Sequence, residues 1–175
     1  MTSTTQGGRT ILGSLGSAEG KGVVRMEDRF DTGIEDLWSA ITDPRRLARW
    51  LGEVEGDLRL GGEFHAHYYA SGWEGTGRIE VCEPPRRLLV EVKDETSRGE
   101  GTVEVTLTPA GDATMLVWEE RGMPVEHLAA YGAGIQIHVE DLADHIAGRE
   151  RRADVTPRWE ELEALYVDLA AGVSR

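Results

Sequence analysis

The sequence predicts a single α+β domain, a curved antiparallel sheet of about six or seven strands wrapped around a long helix near the C-terminus. Three observations predict it. Phe30 to Phe64, FDTGIEDLWSAITDPRRLARWLGEVEGDLRLGGEF, sets two short helices directly after a strand, and helices this short need a sheet on which to bury their apolar faces. From Val54 to Glu120, segments of alternating polarity are joined by Gly and Pro turns, the pattern of an antiparallel meander. From Pro124 the apolar period then lengthens to three or four residues, as in an amphipathic helix.

Taken in order, Met1 to Gly20 is rich in Gly, Ser and Thr. It is expected to be flexible or loosely packed, with part able to extend the first strand. Lys21 to Phe30 alternates imperfectly and reads as that strand. Asp31 and Thr32 suit a helix cap, and Ile34, Leu37, Trp38 and Ile41 mark the apolar side of the first helix. Asp43 and Pro44 supply the cap and first residue of a second helix, which presents Leu47, Trp50 and Leu51.

Val54 to Leu60 is a short strand ending at the Gly61-Gly62 turn. Glu63 to Ala70 places Phe64, Ala66, Tyr68 and Ala70 on one face and His65, His67 and Tyr69 on the other. In Gly72 to Cys82, Trp73, Gly75, Gly77, Ile79 and Val81 share a phase, and the glycines make room for a bulge, a bend or a close neighbour. Pro84-Pro85 ends this strand. Leu88 to Lys93, Gly101 to Thr108 and Thr114 to Glu120 follow, the last two joined by the turn Pro109 to Asp112.

The long helix runs from Pro124 to about Gly148, carrying Leu128, Tyr131, Ile135, Val139, Leu142 and Ile146 on its apolar side, with Gly132 and Gly134 weakening its first third. Thr156 and Pro157 open an extra terminal helix whose apolar side is Trp159, Leu162, Leu165, Tyr166 and Leu169. The organisation read from these elements is a flexible segment at 1–20, the sheet-and-helix domain at 21–148, and a linker with the additional helix at 149–175.

Composition narrows the function. With 175 residues, 39% of them hydrophobic, the chain supports one sizeable core. Its net charge of -13 argues against nucleic acid or an anionic membrane as partner. Cys82 is the single cysteine, so no internal disulfide is expected and a reducing compartment is favoured. No apolar run approaches the roughly 20 residues that span a bilayer, and no secretory leader is evident. A soluble, cytoplasmic protein is the expectation.

Aromatic side chains are the strongest ligand-side clue. Trp38 has the helical spacing of a core residue, whereas Trp50, Trp73, Trp118 and Tyr68 can wall a cavity on which a planar apolar ligand stacks. Phe64, Tyr131 and Ile135 are further candidates for that wall. His127 sits where a strand gives way to a helix, a place where pockets often open. Glu119 and Glu120 point oppositely on a strand, so one of them faces inward; Glu119 is placed among the cavity candidates. An inward carboxylate beside His127, His67 or Tyr69 could act as a general acid or base.

Metal binding and cofactors are not expected. His65 and His67 share a strand face, and His138 with Asp141, or Asp141 with His145, share a helix face, but no recognisable ligand set is completed. Phosphate-cradling loops and nucleophile elbows are also missing from the sequence, and Cys82 reads as a partly buried small hydrophobe.

The motifs FDTGIEDLWSAITDPRRLARW, GDLRLGGEF, GRIEVCEPPRRLLVEV and YGAGIQIHVEDLADHIAG occur in this order between Lys21 and Gly148. In them the chain resembles the helix-grip fold of the START and Bet v 1-like superfamily (SRPBCC), and within it the family of the C-terminal domain of the activator of Hsp90 ATPase. That resemblance implies a small-molecule binding protein with an apolar or aromatic-lined cavity. It also implies two alternatives, a chaperone-regulator-like or stress-related interaction module, and a cyclase, aromatase or hydrolase using an inward carboxylate with a His or Tyr. The terminal helix lies beyond the matching part. Trp159, Leu165 and Leu169 could close one end of the fold or face a second copy in a homodimer.

Overall fold

The computed structural model describes residues 11–95 and 99–173. The alternating segments form β1 (Gly13–Ala18), β2 (Lys21–Phe30), β3 (Gly52–Gly56), β4 (Glu63–Tyr68), β5 (Glu74–Glu83), β6 (Arg87–Asp94), β7 (Glu100–Ala110) and β8 (Ala113–Met123). They make one eight-stranded sheet of order β1-β2-β8-β7-β6-β5-β4-β3, with every neighbouring pair antiparallel. Between β2 and β3 lie α1 (Ile34–Thr42) and α2 (Pro44–Trp50). After β8 a short 3-10 turn at Val125–His127 leads into α3 (Leu128–Ile146), and α4 (Thr156–Ala170) follows. This is the expected helix-grip architecture.

The sheet holds more strands than the expected six or seven because β1 is a strand, not a loosely packed segment. The Glu19-Gly20 turn, with φ of 53° and 76°, folds β1 back on β2 in register from Gly13↔Met26 to Ala18↔Lys21. Little apolar surface marks β1 in the sequence. Its attachment combines Ile11, Leu12 and Leu15, packed partly buried against the core, with distant polar contacts: Leu12 N donates to Gln136 Oε1 (3.1 Å) and Gly13 N to Tyr166 Oη (3.1 Å). Residues 1–10 of the segment expected to be flexible lie outside the described residues.

Local chemistry explains the helix starts. Gly33, rather than Asp31 or Thr32, occupies the N-cap of α1, and Thr32 Oγ1 donates to Asp36 Oδ2 (2.7 Å). Asp43 caps α2 as expected, accepting from Arg45 N (2.9 Å), with Pro44 in the first turn. Trp50, 1% exposed, donates its indole Nε1–H to Ala40 O (3.0 Å), locking the two helices together.

The core lies between the concave face of the sheet and α3. Val24, Met26, Leu107 and Leu116 from the sheet meet Leu37 from α1 and Ile137, Val139 and Leu142 from α3. α4 packs on α3 through Leu162 and Tyr166, both fully buried. The helical glycines that weaken α3 make this packing possible: a methyl at Gly132 would lie 2.7 Å from Tyr166 Cδ1, and one at Gly134 would lie 2.8 Å from Trp159 Cη2. Glu140 on α3 ties the two helices electrostatically, accepting from Arg158 Nη2 of α4 (2.5 Å), and also accepts from Arg152 Nη2 of the linker (3.4 Å). Leu169, expected on the apolar side of α4, is 41% exposed instead, because the helix rolls its Leu162 and Tyr166 stripe inward. No helix among the described residues is long and apolar enough to cross a membrane.

Candidate functional site

The interior between the sheet and α3 is not fully filled. An outer chamber of about 350 Å³ opens beside the β4–β5 turn. β4 delivers Tyr68 to its wall because the even residues of that strand, Phe64, Ala66 and Tyr68, share one face. The chain then reverses through Gly72 (φ 65°), where a left-handed residue is needed. Trp73 therefore lies in the turn before β5, not within the strand as the alternation predicts. The reversal lays its ring against that of Tyr68 at 4.8 Å.

β8 contributes Glu120 through the same alternation. Leu116, Trp118 and Glu120 point inward, and Trp118 Nε1 donates to Glu120 Oε1 at 3.1 Å. Glu119 is therefore not a cavity residue. It lies on the opposite face and accepts from Arg121 Nε at 2.6 Å. The parity was legible, since the apolar Trp118 fixes which neighbours share its face.

The 3-10 turn places His127 on the chamber wall, and α3 adds Tyr131, Ile135 and His138 at helical spacing. His138 is 5% exposed, and its ring meets that of Tyr68 edge-on at 5.3 Å. α4 supplies Trp159, so the extra helix closes one side of the chamber. The indole Nε1 of Trp73 is buried with no hydrogen-bond acceptor among the described residues.

A second, inner chamber of about 130 Å³ lies under α1 and α2. Its wall is nearly all apolar, including Trp38, Leu47, Trp50, Phe64, Ile79 and Trp118, with Cys82 at one side. A methyl at Gly77 would collide with the Phe64 ring, so that glycine seats the aromatic wall. Tyr68, Val92 and Val103 line both chambers. The two spaces thus share a wall and divide one interior into an apolar inner part and a more polar outer part.

Of the residues singled out in the sequence, Tyr68, Trp73, His127, Tyr131 and Ile135 meet in the outer chamber, and Trp50, Phe64 and Trp118 in the inner one. His138 and Trp159, named in the sequence for other roles, join the wall from α3 and α4, and Val103 and Asp94 are further wall residues from β7 and the end of β6. Only the α3 spacing that links Tyr131, Ile135 and His138 could have flagged one of them.

The remaining titratable residues are scattered. His67, on the outer face of β4, and Tyr69, in the turn just after it, lie away from Glu120; their rings meet edge-on at 6.4 Å, and the Arg151 guanidinium lies 4.3 Å from the Tyr69 ring centre. His65, on that face, sits beside Glu74 (3.3 Å) and Glu95 (3.7 Å), a partly exposed histidine–carboxyl cluster that tertiary structure assembles. His145 Nε2 accepts from Arg46 Nε (3.1 Å), and burial, with help from the Arg46 charge, holds its pKa below the ordinary range. Asp141, 1% exposed, pairs with Arg152 Nε at 3.4 Å, and neither of its oxygens accepts a hydrogen bond. Burial pushes its pKa up to about 6 against the pull of Arg152.

The model of the family described as Activator of Hsp90 ATPase homolog 1-like protein matches residues 31–147. The chain belongs to this family. Among solved structures, this family member is similar to CalU16 from Micromonospora echinospora at 29% identity and a TM-score of 0.77, over 91% of this chain and 98% of that one. It is also similar to DynU16, a protein in the dynemicin biosynthetic locus, at 28% identity and a TM-score of 0.66, over 74% of this chain and 51% of that one. A likeness to EF2215 from Enterococcus faecalis, 16% identical with a TM-score of 0.69 over 93% of this chain and 92% of that one, concerns the fold. No protein of curated function matches the sequence.

Proposed function

We propose that the protein binds one small organic molecule reversibly, with an apolar or aromatic body in the inner chamber and a polar end in the outer one. The observation that carries this reading is the shared wall of Tyr68, Val92 and Val103 between a nearly all-apolar space and one that holds Glu120, His127 and His138. Ligand sites of this size are typically apolar with a few convergent polar groups. The buried Trp73 N–H adds a donor that a ligand oxygen or nitrogen would satisfy. The likeness to DynU16 supports a biosynthetic small molecule as ligand.

Native mass spectrometry of the purified protein, paired with denaturing extraction, tests it. A stoichiometric organic adduct that is recovered chemically unchanged is the expected result. A saturable screen of aromatic compounds that yields no binder, with no adduct present, would overturn it.

One observation favours a second reading, catalysis in the same space: the inward Glu120 shares its chamber with His127 and His138, groups suited to general acid-base work. Recovery of a converted rather than an unchanged compound would select it. The interaction-module reading draws less support, since the exposed large apolar side chains among the described residues are Leu60, Val167 and Leu169, short of the patch that such a surface needs. Of the residues offered to a homodimer, Trp159 is committed to the protein's own cavity.

A further inference from the structure

The inner chamber is small and braced. At about 130 Å³ it is close in size to the apolar cavity of about 150 Å³ that takes up one benzene. Trp50 and Trp118 stand edge to face in its wall, 6.4 Å apart with planes at 80°. Each indole N–H is bonded to the protein, Trp50 to Ala40 O (3.0 Å) and Trp118 to Glu120 Oε1 (3.1 Å). Phe64 lies opposite Gly77 in register across β4 and β5, its ring seated where a side chain at Gly77 would stand. We propose that this chamber admits a single unfused six-membered ring and rejects a fused bicycle, so that the ligand carries one phenyl-sized group at its apolar end. The inference rests on the reading of the interior as a ligand cavity and adds the size of what its inner end accepts.

The physical reasons converge. A ring of phenyl size fills the space without moving the wall and gains close contacts around its perimeter. Its edges and faces also meet the indoles in the offset or edge-to-face geometry that aromatic pairs prefer. A second fused ring has to push an aromatic side chain aside. Turning either indole leaves a buried N–H without its acceptor, because Trp50 and Trp118 are 1% and 4% exposed, and lifting Phe64 opens a void over Gly77. Overfilling a braced apolar site of this kind weakens binding roughly tenfold or more. Tyr68, Val92 and Val103 border both this chamber and the outer one of about 350 Å³, where the larger remainder of the ligand fits.

The test compares toluene with 1-methylnaphthalene on the full chain. The methyl signals of Ile79 and Val90, which line the inner chamber and not the outer one, are followed in NMR titrations, together with the nuclear Overhauser contacts that each probe makes to them. A chamber without a size limit would favour 1-methylnaphthalene, the more apolar probe. Toluene is instead expected to contact Ile79 and Val90 and to saturate there about tenfold or more tightly than 1-methylnaphthalene. Val54→Ala and, independently, Phe64→Leu enlarge the chamber and should each narrow that ratio; circular dichroism verifies the fold of each variant, and the parent comparison stands if neither folds. Equal or tighter binding of 1-methylnaphthalene at Ile79 and Val90 in the parent would overturn the size limit and leave the cavity reading standing. A toluene preference that neither folded variant narrows, or toluene contacts confined to Tyr131 and Ile135 of the outer chamber, would also overturn it. Binding of neither probe in either chamber would remove the cavity reading as well.

Discussion

Trp118 and Glu120, two residues apart on the inward face of β8, are joined by a 3.1 Å hydrogen bond from the indole Nε1 to the carboxylate Oε1. The bond spans the boundary between the chambers, because Trp118 lines the inner one and Glu120 the outer one. It fixes the orientation of the carboxylate before any ligand arrives, which reduces the ordering cost of binding.

Replacing Trp118 with Phe removes this donor from a largely buried acceptor and enlarges the inner chamber. A loss of about 2 to 4 kcal/mol is expected from the two effects together. Urea unfolding of Trp118→Phe, Glu120→Gln and the double variant checks it. A coupling energy of about 1 kcal/mol or more identifies the bond, and additivity within about 0.3 kcal/mol would show that the pair is not energetically linked.

Asp141 makes stability depend on pH with a defined sign. Its folded pKa of about 6 lies above the ordinary carboxylate value near 4, so between those limits the native state holds more protons than the unfolded chain. Stability contributed by this group therefore falls as pH rises from about 4 to 6, by roughly 2 to 3 kcal/mol. Asp141→Asn should flatten that slope and raise stability at pH 7 by about 1 to 2 kcal/mol, the remainder being the lost attraction of Arg152. Thermal melts across the pH range decide; a variant less stable than the parent at pH 7 would mean that the Arg152 pair outweighs the burial.

Tyr166 holds the N-terminal strand from the C-terminal helix. Its hydroxyl donates to Gln136 Oε1 (2.6 Å) and accepts from Gly13 N (3.1 Å), and burial raises its pKa, so it remains a neutral donor. Tyr166→Phe should cost about 1 to 3 kcal/mol. Hydrogen exchange should accelerate first at Gly13–Ala18, and uniform acceleration across the sheet would contradict this local role.

Gly134→Ala tests the wall contributed by α4. Alanine improves helix propensity by about 1 kcal/mol, yet its methyl would stand 2.8 Å from Trp159 Cη2 and must displace that ring. Near-parental stability with weaker ligand binding is expected, read by denaturation and by ligand titration. Unchanged binding would place Trp159 outside the functional wall.

Much of this architecture was legible because it is periodic. The alternation through Phe64, Ala66 and Tyr68 and the helical spacing of Tyr131 and Ile135 identify inward faces, and Asp43-Pro44 marks a helix start. Glu119 was misplaced by a single residue, although the parity of Trp118 held the answer. β1 escaped because its attachment rests on backbone bonds to β2 and on Gln136 and Tyr166, more than 100 positions away, which local pattern does not encode. His138 and Trp159 have ordinary core spacing, and only tertiary packing brings them to one chamber.

Ligand binding across the outer chamber under α3 and the inner one under α1 and α2 is tested most directly by titrating the neutral fluorophore N-phenyl-1-naphthylamine into the protein and into Val103→Trp, which fills the wall common to both chambers. One saturable, blue-shifted site per chain is expected, and it is lost in a folded Val103→Trp variant. Saturable binding of equal strength in both proteins, or none in either, would contradict it.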